Sequence, residues 1–169
     1  AGTRFSVVRY GNVMGSRGSV IPLFKRLAAE GEVPITDSRM TRFWITLPQA
    51  VDFVLSSFDI MRGGEIFVPK IPSTRITDIV EAVAPGCRTR TIGIRPGEKL
   101  HEEMVSEDDS RRTYSMADRY VIAPVLSGWG STVWEELGVR CADGFSFRSD
   151  TNEAWLAVEE IRKLIIGLS

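Results

Sequence analysis

The segment that most restricts the fold lies at residues 5–10, where the sequence reads FSVVRY. Its β-branched and aromatic residues are nearly continuous in apolar character. This predicts a short strand buried on both faces, as in a parallel sheet. The following segment, residues 11–19, is too rich in glycine for regular structure and is predicted to form a loop. Because open α/β sheets bind ligands at the carboxyl ends of their strands, we expect a binding site to begin at this loop.

Helical periodicity and short apolar runs alternate through the first two thirds of the chain, and this alternation predicts an α/β fold. A capping box at residues 46–49 opens one helix, and Thr77 is predicted to cap another. Residues 106–118 are polar and residues 129–150 irregular, so neither segment carries a periodic signal. The first helix is predicted over residues 19–30, and the last over residues 158–168. The helix opened at residue 46 ends at Gly63-Gly64, and the helix capped by Thr77 ends at Pro85-Gly86. The later strands are predicted at residues 66–68, 90–94 and 120–123.

Composition excludes several classes of partner. Hydrophobic residues make up 43% of the chain, and 21 basic against 22 acidic residues leave a net charge of −1. No overall field would therefore attract nucleic acid or an anionic membrane. Two isolated cysteines, Cys87 and Cys141, favour a reduced, cytoplasmic setting. The single histidine, His101, lies in a charged run and is predicted to be a solvated surface side chain, so no metal site is expected.

The sequence lacks two features of short-chain dehydrogenases, the dinucleotide-binding loop and the catalytic tyrosine/lysine pair. Gly11, Gly15 and Gly18 are spaced G-x3-G-x2-G, which is not the dinucleotide-binding fingerprint. None of the three tyrosines has a lysine four residues later, so the tyrosine/lysine acid–base pair is absent as well. We therefore expect no catalytic residue in this chain.

Two arginines are candidates for binding an anion. Arg42 precedes the capped helix, and Arg95 lies in a Pro-Gly turn with Glu98 three residues later. A guanidinium can grip phosphate oxygens through two parallel hydrogen bonds, and a carboxylate can accept from sugar hydroxyls. Spacing alone leaves solvated surface arginines as the alternative. Asn12, just past the first strand, could likewise bind a ligand or only its own turn.

Five blocks of sequence, in this order, carry a resemblance to a known family: RYGNVMGSRGSVIPLF, PITDSRMTRFWIT, GGEIFVPKIPS, IGIRPGEKLHEEM and FSFRSDTNEAWL. Together they resemble the C-terminal half of UDP-N-acetylglucosamine 4,6-dehydratases, which are extended short-chain dehydrogenase/reductases of polysaccharide biosynthesis. The likeness is greatest to the C5-inverting type of the pseudaminic acid pathway. It implies that residues 1–169 are the nucleotide-sugar-binding portion, with residues 1–15 as the last part of the Rossmann domain. The NADP-binding half is then expected upstream, in agreement with the abrupt start at Ala1.

The resemblance also implies roles for individual residues. Asn12 would contact the UDP-sugar, and Ser19 and Val20 would approach the nucleotide diphosphate at the start of a helix. The expected assignments for the other ligand groups are the backbone of Tyr10, Gly11, Asn12 and Val13 for the nicotinamide side of the cofactor, Ile35 and Thr36 for uracil, Arg42 and Arg95 for the pyrophosphate, and Glu98 for the ribose.

The reaction implied by the resemblance is a lyase reaction on UDP-N-acetylglucosamine. The sugar is oxidised at C4, water is lost across C5 and C6, and hydride returns to C6 with inversion at C5. NADP, held mainly by the upstream half, would carry the hydride, so this chain alone is expected to be inactive, and the longer protein is expected to be a homo-oligomer. Two alternatives remain open: a stand-alone nucleotide-sugar-binding module without catalysis, and a C5-retaining dehydratase or C4 epimerase of the same superfamily.

Overall fold

A computed structural model of the protein describes residues 2–16, 20–125 and 131–167. The helices in these ranges are α1 (Val20–Ala28), α2 (Leu47–Ile60), α3 (Ile76–Val83), α4 (Ser131–Leu137) and α5 (Val158–Ile166), with one 3-10 turn at Ser110–Arg112. The strands are β1 (Val7–Val8), β2 (Asn12–Val13), β3 (Glu32–Ile35), β4 (Thr41–Ile45), β5 (Ile66–Pro69), β6 (Ser73–Arg75), β7 (Arg88–Thr91), β8 (Glu103–Val105), β9 (Thr113–Ser115), β10 (Arg119–Ile122), β11 (Val139–Arg140) and β12 (Phe147–Arg148).

The chain divides into two compact units, of which the first comprises Ala1–Tyr10, Pro48–Lys70 and Glu103–Arg148. Its main sheet has the strand order β1-β5-β10-β9-β11, and β8 pairs with β12 separately. Strand β1 runs parallel to β5, whereas β10 is antiparallel to both β5 and β9. Phe67 and Trp134 are fully buried in the core of this unit, and their rings meet edge to face with centroids 5.7 Å apart.

The first predicted strand exists but its environment differs from the prediction. Val7 and Val8 pair in parallel with Ile66 and Phe67, which confirms the parallel strand. Burial on both faces is wrong, because Val7 is 54% and Phe5 72% exposed. Strand β1 is the terminal strand of its sheet within the described residues, so its outer edge has no neighbouring strand, and side chains at an open edge are less covered than those of a central strand. Helix α2 adds the exposed Phe58 to the apolar surface of the same unit.

The second unit comprises Gly11–Leu47, Ile71–Glu102 and Ser149–Ser169. Strand β2 is parallel to β4, β4 is antiparallel to β6, and β3 is parallel to β7. Helices α1, α3 and α5 pack together with β3 around a core in which Val33, Ile79 and Ile161 are fully buried. These residues come from three distant parts of the sequence, so the unit depends on long-range apolar contacts.

The helices follow the predicted periodicity, with one error at a cap. Helix α1 confirms the helix predicted over residues 19–30, α2 confirms the helix predicted to open at residue 46, and α5 confirms the helix predicted over residues 158–168. Thr77 does not cap α3: the helix begins at Ile76, and its N-cap is Arg75, whose side chain makes no capping hydrogen bond. At α5 the N-cap is Ala157, and Glu160 compensates because its Oε2 accepts from the Ala157 N–H at 2.8 Å.

The predicted strand at residues 90–94 lies earlier, at Arg88–Thr91, and the strand predicted at residues 120–123 is confirmed as β10 (Arg119–Ile122). The short strands β8, β9, β11 and β12 were not predicted. In the described part of the chain, no helix combines the length and the apolar character needed to cross a bilayer. The longest of them, α2, has 14 residues.

Candidate functional site

A pocket of about 480 Å³ lies entirely within the second unit. It forms beside the carboxyl ends of the parallel strands β3 and β7, next to β2, β4 and the start of α1. Its position matches the sheet edge at which α/β proteins bind ligands. The pocket brings together most of the predicted binding residues: Asn12, Val13, Val20, Ile35, Thr36, Arg42, Arg95 and Glu98.

The floor of the pocket is part of the hydrophobic core. Ile21, Phe24, Trp44 and Ile79 line the pocket, and each is buried in the core of the second unit. Side chains fixed by core packing give a preformed apolar surface that does not have to order itself when a ligand binds. A flat or apolar part of a ligand would therefore rest here, with polar groups left for the rim.

The two parallel strands place the rim residues. The Ile92 N–H donates to the Ile35 carbonyl at 2.9 Å, and the Gly93 N–H donates to the Thr36 carbonyl at 3.1 Å. These bonds extend the β3–β7 ladder by two residues and bring Thr36 next to the turn that follows β7. Gly97 in that turn has φ +80°, a conformation that favours glycine over residues with a side chain.

Glu98 closes the turn around Arg95. Its Oε2 accepts from the Arg95 N–H at 3.2 Å, its Oε1 accepts from the Thr36 hydroxyl at 3.4 Å, and its own N–H donates to the Arg95 carbonyl at 3.0 Å. The Arg95 side chain is exposed and makes no hydrogen bond or ion pair with the residues that the structure describes. Its guanidinium donors are thus available to an anion.

The guanidinium of Arg42 is already engaged. Its Nη1 donates to the carbonyls of Thr41 at 2.7 Å and Leu100 at 3.0 Å, and its Nη2 donates to the Lys99 carbonyl at 2.9 Å. The Nη2 atom also lies 3.5 Å from the Met40 sulfur. With these donors in use, Arg42 contributes positive charge to the pocket wall and braces the chain at residues 99–100. Arg95 is the better placed of the two to grip an anion directly.

The side chain of Asn12 makes hydrogen bonds to residues that are distant in the sequence. Its Nδ2 donates to Glu102 Oε1 at 2.8 Å and to the Phe43 carbonyl at 3.2 Å. The alternative that this side chain only closes its local turn is therefore wrong. Strand β2 carries it into the pocket because Asn12 and Val13 pair in parallel with Trp44 and Ile45 of β4.

The chain matches a family model described as polysaccharide biosynthesis protein over residues 1–124. The chain belongs to this family. The predicted fold class, α/β as in the C-terminal part of an extended short-chain dehydrogenase/reductase, is confirmed by the architecture and by a solved relative. The X-ray structure of Pen from Bacillus thuringiensis superposes with a TM-score of 0.82 at 33% identity, over 98% of this chain and 50% of that one.

Two curated relatives indicate which reactions occur in the family. UDP-N-acetylglucosamine 4,6-dehydratase (inverting) from Campylobacter jejuni subsp. jejuni is 52% identical over 171 residues, which cover 96% of this chain and 51% of that enzyme. UDP-glucose 4-epimerase from Rickettsia canadensis is 42% identical over 176 residues, which cover 99% of this chain and 50% of that enzyme. The chain therefore spans about half the length of the curated relatives it matches.

The cofactor contact that we predicted for Tyr10, Gly11, Asn12 and Val13 in this member of the polysaccharide biosynthesis family stays a prediction. Tyr10 is exposed and belongs to the first unit, whereas Gly11 and its successors belong to the second. Gly11 has a packing explanation, because a Cβ on it would lie 2.5 Å from the Phe43 carbonyl oxygen. Only Asn12 and Val13 of this set line the pocket. Ser19, predicted to approach the diphosphate, lies outside the described residues.

His101 is not the solvated side chain that we predicted. It is half-buried, its Nδ1 lies 2.8 Å from the Thr41 hydroxyl, and its Nε2 lies 3.9 Å from Asp150 Oδ2. The Thr41 hydroxyl also lies 2.7 Å from that of Ser149. Local sequence could not reveal this network, because its members are separated by 60 and 108 positions. It stabilises the loop that precedes the first unit's β8 and carries no pocket-lining group.

Glu102 does not line the pocket, but it bonds the pocket residue Asn12, and the sequence did not single it out. It appeared as one acid in a charged run, and its partners Phe43 and Asn12 lie 59 and 90 positions away. No local pattern marks such a residue. The carboxylate of Asp37, which is not part of the pocket lining, is paired with Arg39: hydrogen bonds from the Arg39 side chain and then from its N–H lower the pKa of Asp37 to about 2.

Proposed function

We propose that this chain supplies the nucleotide-sugar pocket of a UDP-N-acetylglucosamine 4,6-dehydratase. The observation that carries the proposal is the exposed Arg95 guanidinium, which makes no hydrogen bond or ion pair with the described residues and stands at the rim of a pocket with an apolar floor. A nucleoside diphosphate sugar needs this combination, an anion grip beside a surface for the base. The volume of about 480 Å³ lies within the range of roughly 300–1,000 Å³ that is usual for small-molecule sites.

Each part of the ligand has a candidate partner. Arg95 holds the pyrophosphate, and Arg42 adds positive charge from the pocket wall. Ile35 and Thr36 receive uracil at the end of β3. Glu98 accepts from the ribose hydroxyls, since its carboxylate lies on the same rim. Val20, the first residue of α1, lines the pocket and approaches the diphosphate at the helix N-terminus. The same role for Ser19 stays a prediction from the sequence.

Catalysis is assigned to a second part of a longer polypeptide. The relatives are about twice as long as this chain, and no tyrosine/lysine pair or dinucleotide fingerprint occurs in the sequence. We infer that an upstream half binds NADP, which supplies the hydride transfer, and provides the acid–base residues, with residues 1–15 completing its Rossmann domain. The role of the present residues is to hold the UDP portion so that the sugar is fixed for reaction. The whole enzyme is proposed to be a cytoplasmic homo-oligomer.

A second candidate is a C4 epimerase of UDP-sugars. The similarity to the Rickettsia canadensis epimerase, at 42% identity over 99% of this chain, favours it. The two activities share the nucleotide handle, so the pocket described above serves either. The dehydratase is preferred because the similarity to the Campylobacter jejuni dehydratase is higher, at 52% identity.

Product analysis distinguishes the two functions. We expect the native polypeptide that carries this sequence, incubated with UDP-N-acetylglucosamine and NADP, to form a 4-keto-6-deoxy sugar inverted at C5, as measured by NMR. A product that keeps its C6 hydroxyl and changes only at C4 would establish the epimerase. A C5-retained product would contradict the inverting reaction. Binding of UDP without any product would favour a non-catalytic binding module.

A further inference from the structure

The amide of Asn12 is held in one orientation by two acceptors. Its Nδ2 lies 2.8 Å from Glu102 Oε1 and 3.2 Å from the Phe43 carbonyl oxygen. A carboxylate and a carbonyl accept but cannot donate, so the amide can satisfy both only with its NH₂ group toward them. Both hydrogens of the NH₂ group are then in use. The Oδ1 atom, which has no partner among the residues that the structure describes, is left as an acceptor.

Glu102 is itself fixed at several points. Its Oε2 accepts from the Phe43 N–H at 2.8 Å, and its Oε1 lies 3.8 Å from Arg42 Nε. On its backbone, the Glu102 N–H donates to the Ser149 hydroxyl at 2.8 Å. Its side chain is 28% exposed, so water competes only in part for these contacts. One carboxylate therefore ties the β4 backbone, the Arg42 charge and the Asn12 amide together.

Rotation of the amide by 180° would be costly. It would place Oδ1 against the Glu102 carboxylate and the Phe43 carbonyl, so that three acceptors face one another without a hydrogen atom between them. Without Glu102, only the single bond to the Phe43 carbonyl would oppose this rotation. The side chain could then present either its oxygen or its NH₂ group to the pocket.

We propose that Glu102 is a positioning residue that keeps Asn12 Oδ1 turned to the ligand, so that this point of the pocket selects a hydrogen-bond donor. A sugar hydroxyl or an acetamido N–H provides such a donor, and a phosphate oxygen does not. The inference rests on the proposed function and deepens it. Recognition is divided between two places: Arg95 binds the anionic end of the ligand, and Asn12, aimed by Glu102, binds its sugar.

This division can be tested by comparing two ligands that differ only in the sugar. UDP and UDP-N-acetylglucosamine are titrated by calorimetry into the native polypeptide, into Glu102→Ala and into Glu103→Ala. Loss of the positioning carboxylate is expected to raise the Kd for UDP-N-acetylglucosamine about tenfold, in line with the loss of one well-oriented hydrogen bond, and to leave the Kd for UDP within about twofold. Glu103 is exposed and immediately adjacent, so Glu103→Ala removes the same charge and is expected to change neither Kd.

The possible results separate the two levels of the proposal. Equal weakening of UDP and UDP-N-acetylglucosamine by Glu102→Ala, or no weakening of either, overturns the positioning role while the proposed function stands. Failure of the unsubstituted protein to bind either ligand overturns the proposed function, and the positioning role with it. If Glu102→Ala does not fold, Glu102→Gln provides the test. Its amide oxygen can accept from only one of the two donors, so a selective loss of about threefold for the UDP-sugar is expected, and equal effects on both ligands would again overturn the role.

Discussion

Replacement of Arg95 by alanine is expected to raise the Kd for UDP about 100-fold. The Arg95 guanidinium lies at the pocket rim and makes no hydrogen bond or ion pair with the described residues, so its removal should not disturb an internal contact. A bidentate grip on phosphate supplies two charge-assisted hydrogen bonds, each worth roughly 1.5–3 kcal/mol. At the lower end of that range two bonds amount to about 3 kcal/mol, and each 1.4 kcal/mol corresponds to a factor of ten. Calorimetric titration with UDP measures the change.

The control for this substitution is Arg88→Ala. Arg88 is an exposed arginine of β7 in the same unit, and it is not part of the pocket lining. Both substitutions remove one positive charge, so only a direct contact distinguishes them. Arg95→Lys keeps the positive charge but lacks the paired guanidinium donors. It is therefore expected to raise the Kd for UDP about tenfold, between the effects of Arg88→Ala and Arg95→Ala. Similar small losses for Arg88→Ala and Arg95→Ala would contradict a specific phosphate contact and reduce the effect to general electrostatics.

Gly11→Ala is expected to lower the free energy of unfolding by about 3 kcal/mol, the upper end of the range for overpacking in a well-packed region. An added Cβ would lie 2.5 Å from the Phe43 carbonyl oxygen, 2.5 Å from its Cβ and 2.8 Å from its carbonyl carbon. Two of these three atoms belong to the main chain, so a side-chain rotation cannot relieve the contact. Strand β2 would have to move away from β4, and Asn12 would leave its partner at the Phe43 carbonyl. Urea unfolding of the native polypeptide measures the loss.

Gly2→Ala is the matched control for this change. A Cβ at Gly2 would meet nothing within 4 Å, so the same chemical addition is expected to alter the free energy of unfolding by less than about 0.5 kcal/mol. UDP-N-acetylglucosamine should also bind more weakly to Gly11→Ala, since the displaced strand carries Asn12. A Gly11→Ala protein as stable as the unsubstituted one would contradict the close approach of β2 to the Phe43 carbonyl of β4.

The sequence predicted the elements that rest on local patterns. Helix α1 and helix α5 have apolar residues at helical spacing, and both form where the periodicity places them. Strand β5 is a short apolar run, and it pairs in parallel with β1 as the α/β alternation required. Strand β10 was predicted from its apolar run, but β9, β11 and β12 have only two or three residues each, and such segments are set by pairing with distant strands rather than by their own composition.

The sequence indicated which segments form the pocket, but it could not show which of the predicted residues has hydrogen-bond donors available for a ligand. The glycine-rich segment contributes Asn12 and Val13 to the pocket, as its position after an apolar strand indicated, and the RPGE turn contributes Arg95 and Glu98, which were predicted as anion-binding candidates. From the sequence, Arg42 and Arg95 are equal candidates for binding an anion. The structure shows that the guanidinium of Arg42 already donates to the Lys99 and Leu100 carbonyls. The pairing of Asn12 with Glu102 spans 90 positions, and no local signal exists for a contact of that kind.

The most direct test of the nucleotide-sugar pocket is a crystal structure of the native polypeptide with UDP-N-acetylglucosamine. We predict that the uridine lies on the apolar floor beside Ile35, with pyrophosphate oxygens at a hydrogen-bond distance of about 3 Å from the Arg95 guanidinium. A nucleotide bound elsewhere, with the Arg95 guanidinium and the pocket empty of ligand, would contradict the assignment of this unit as the site of UDP-sugar binding.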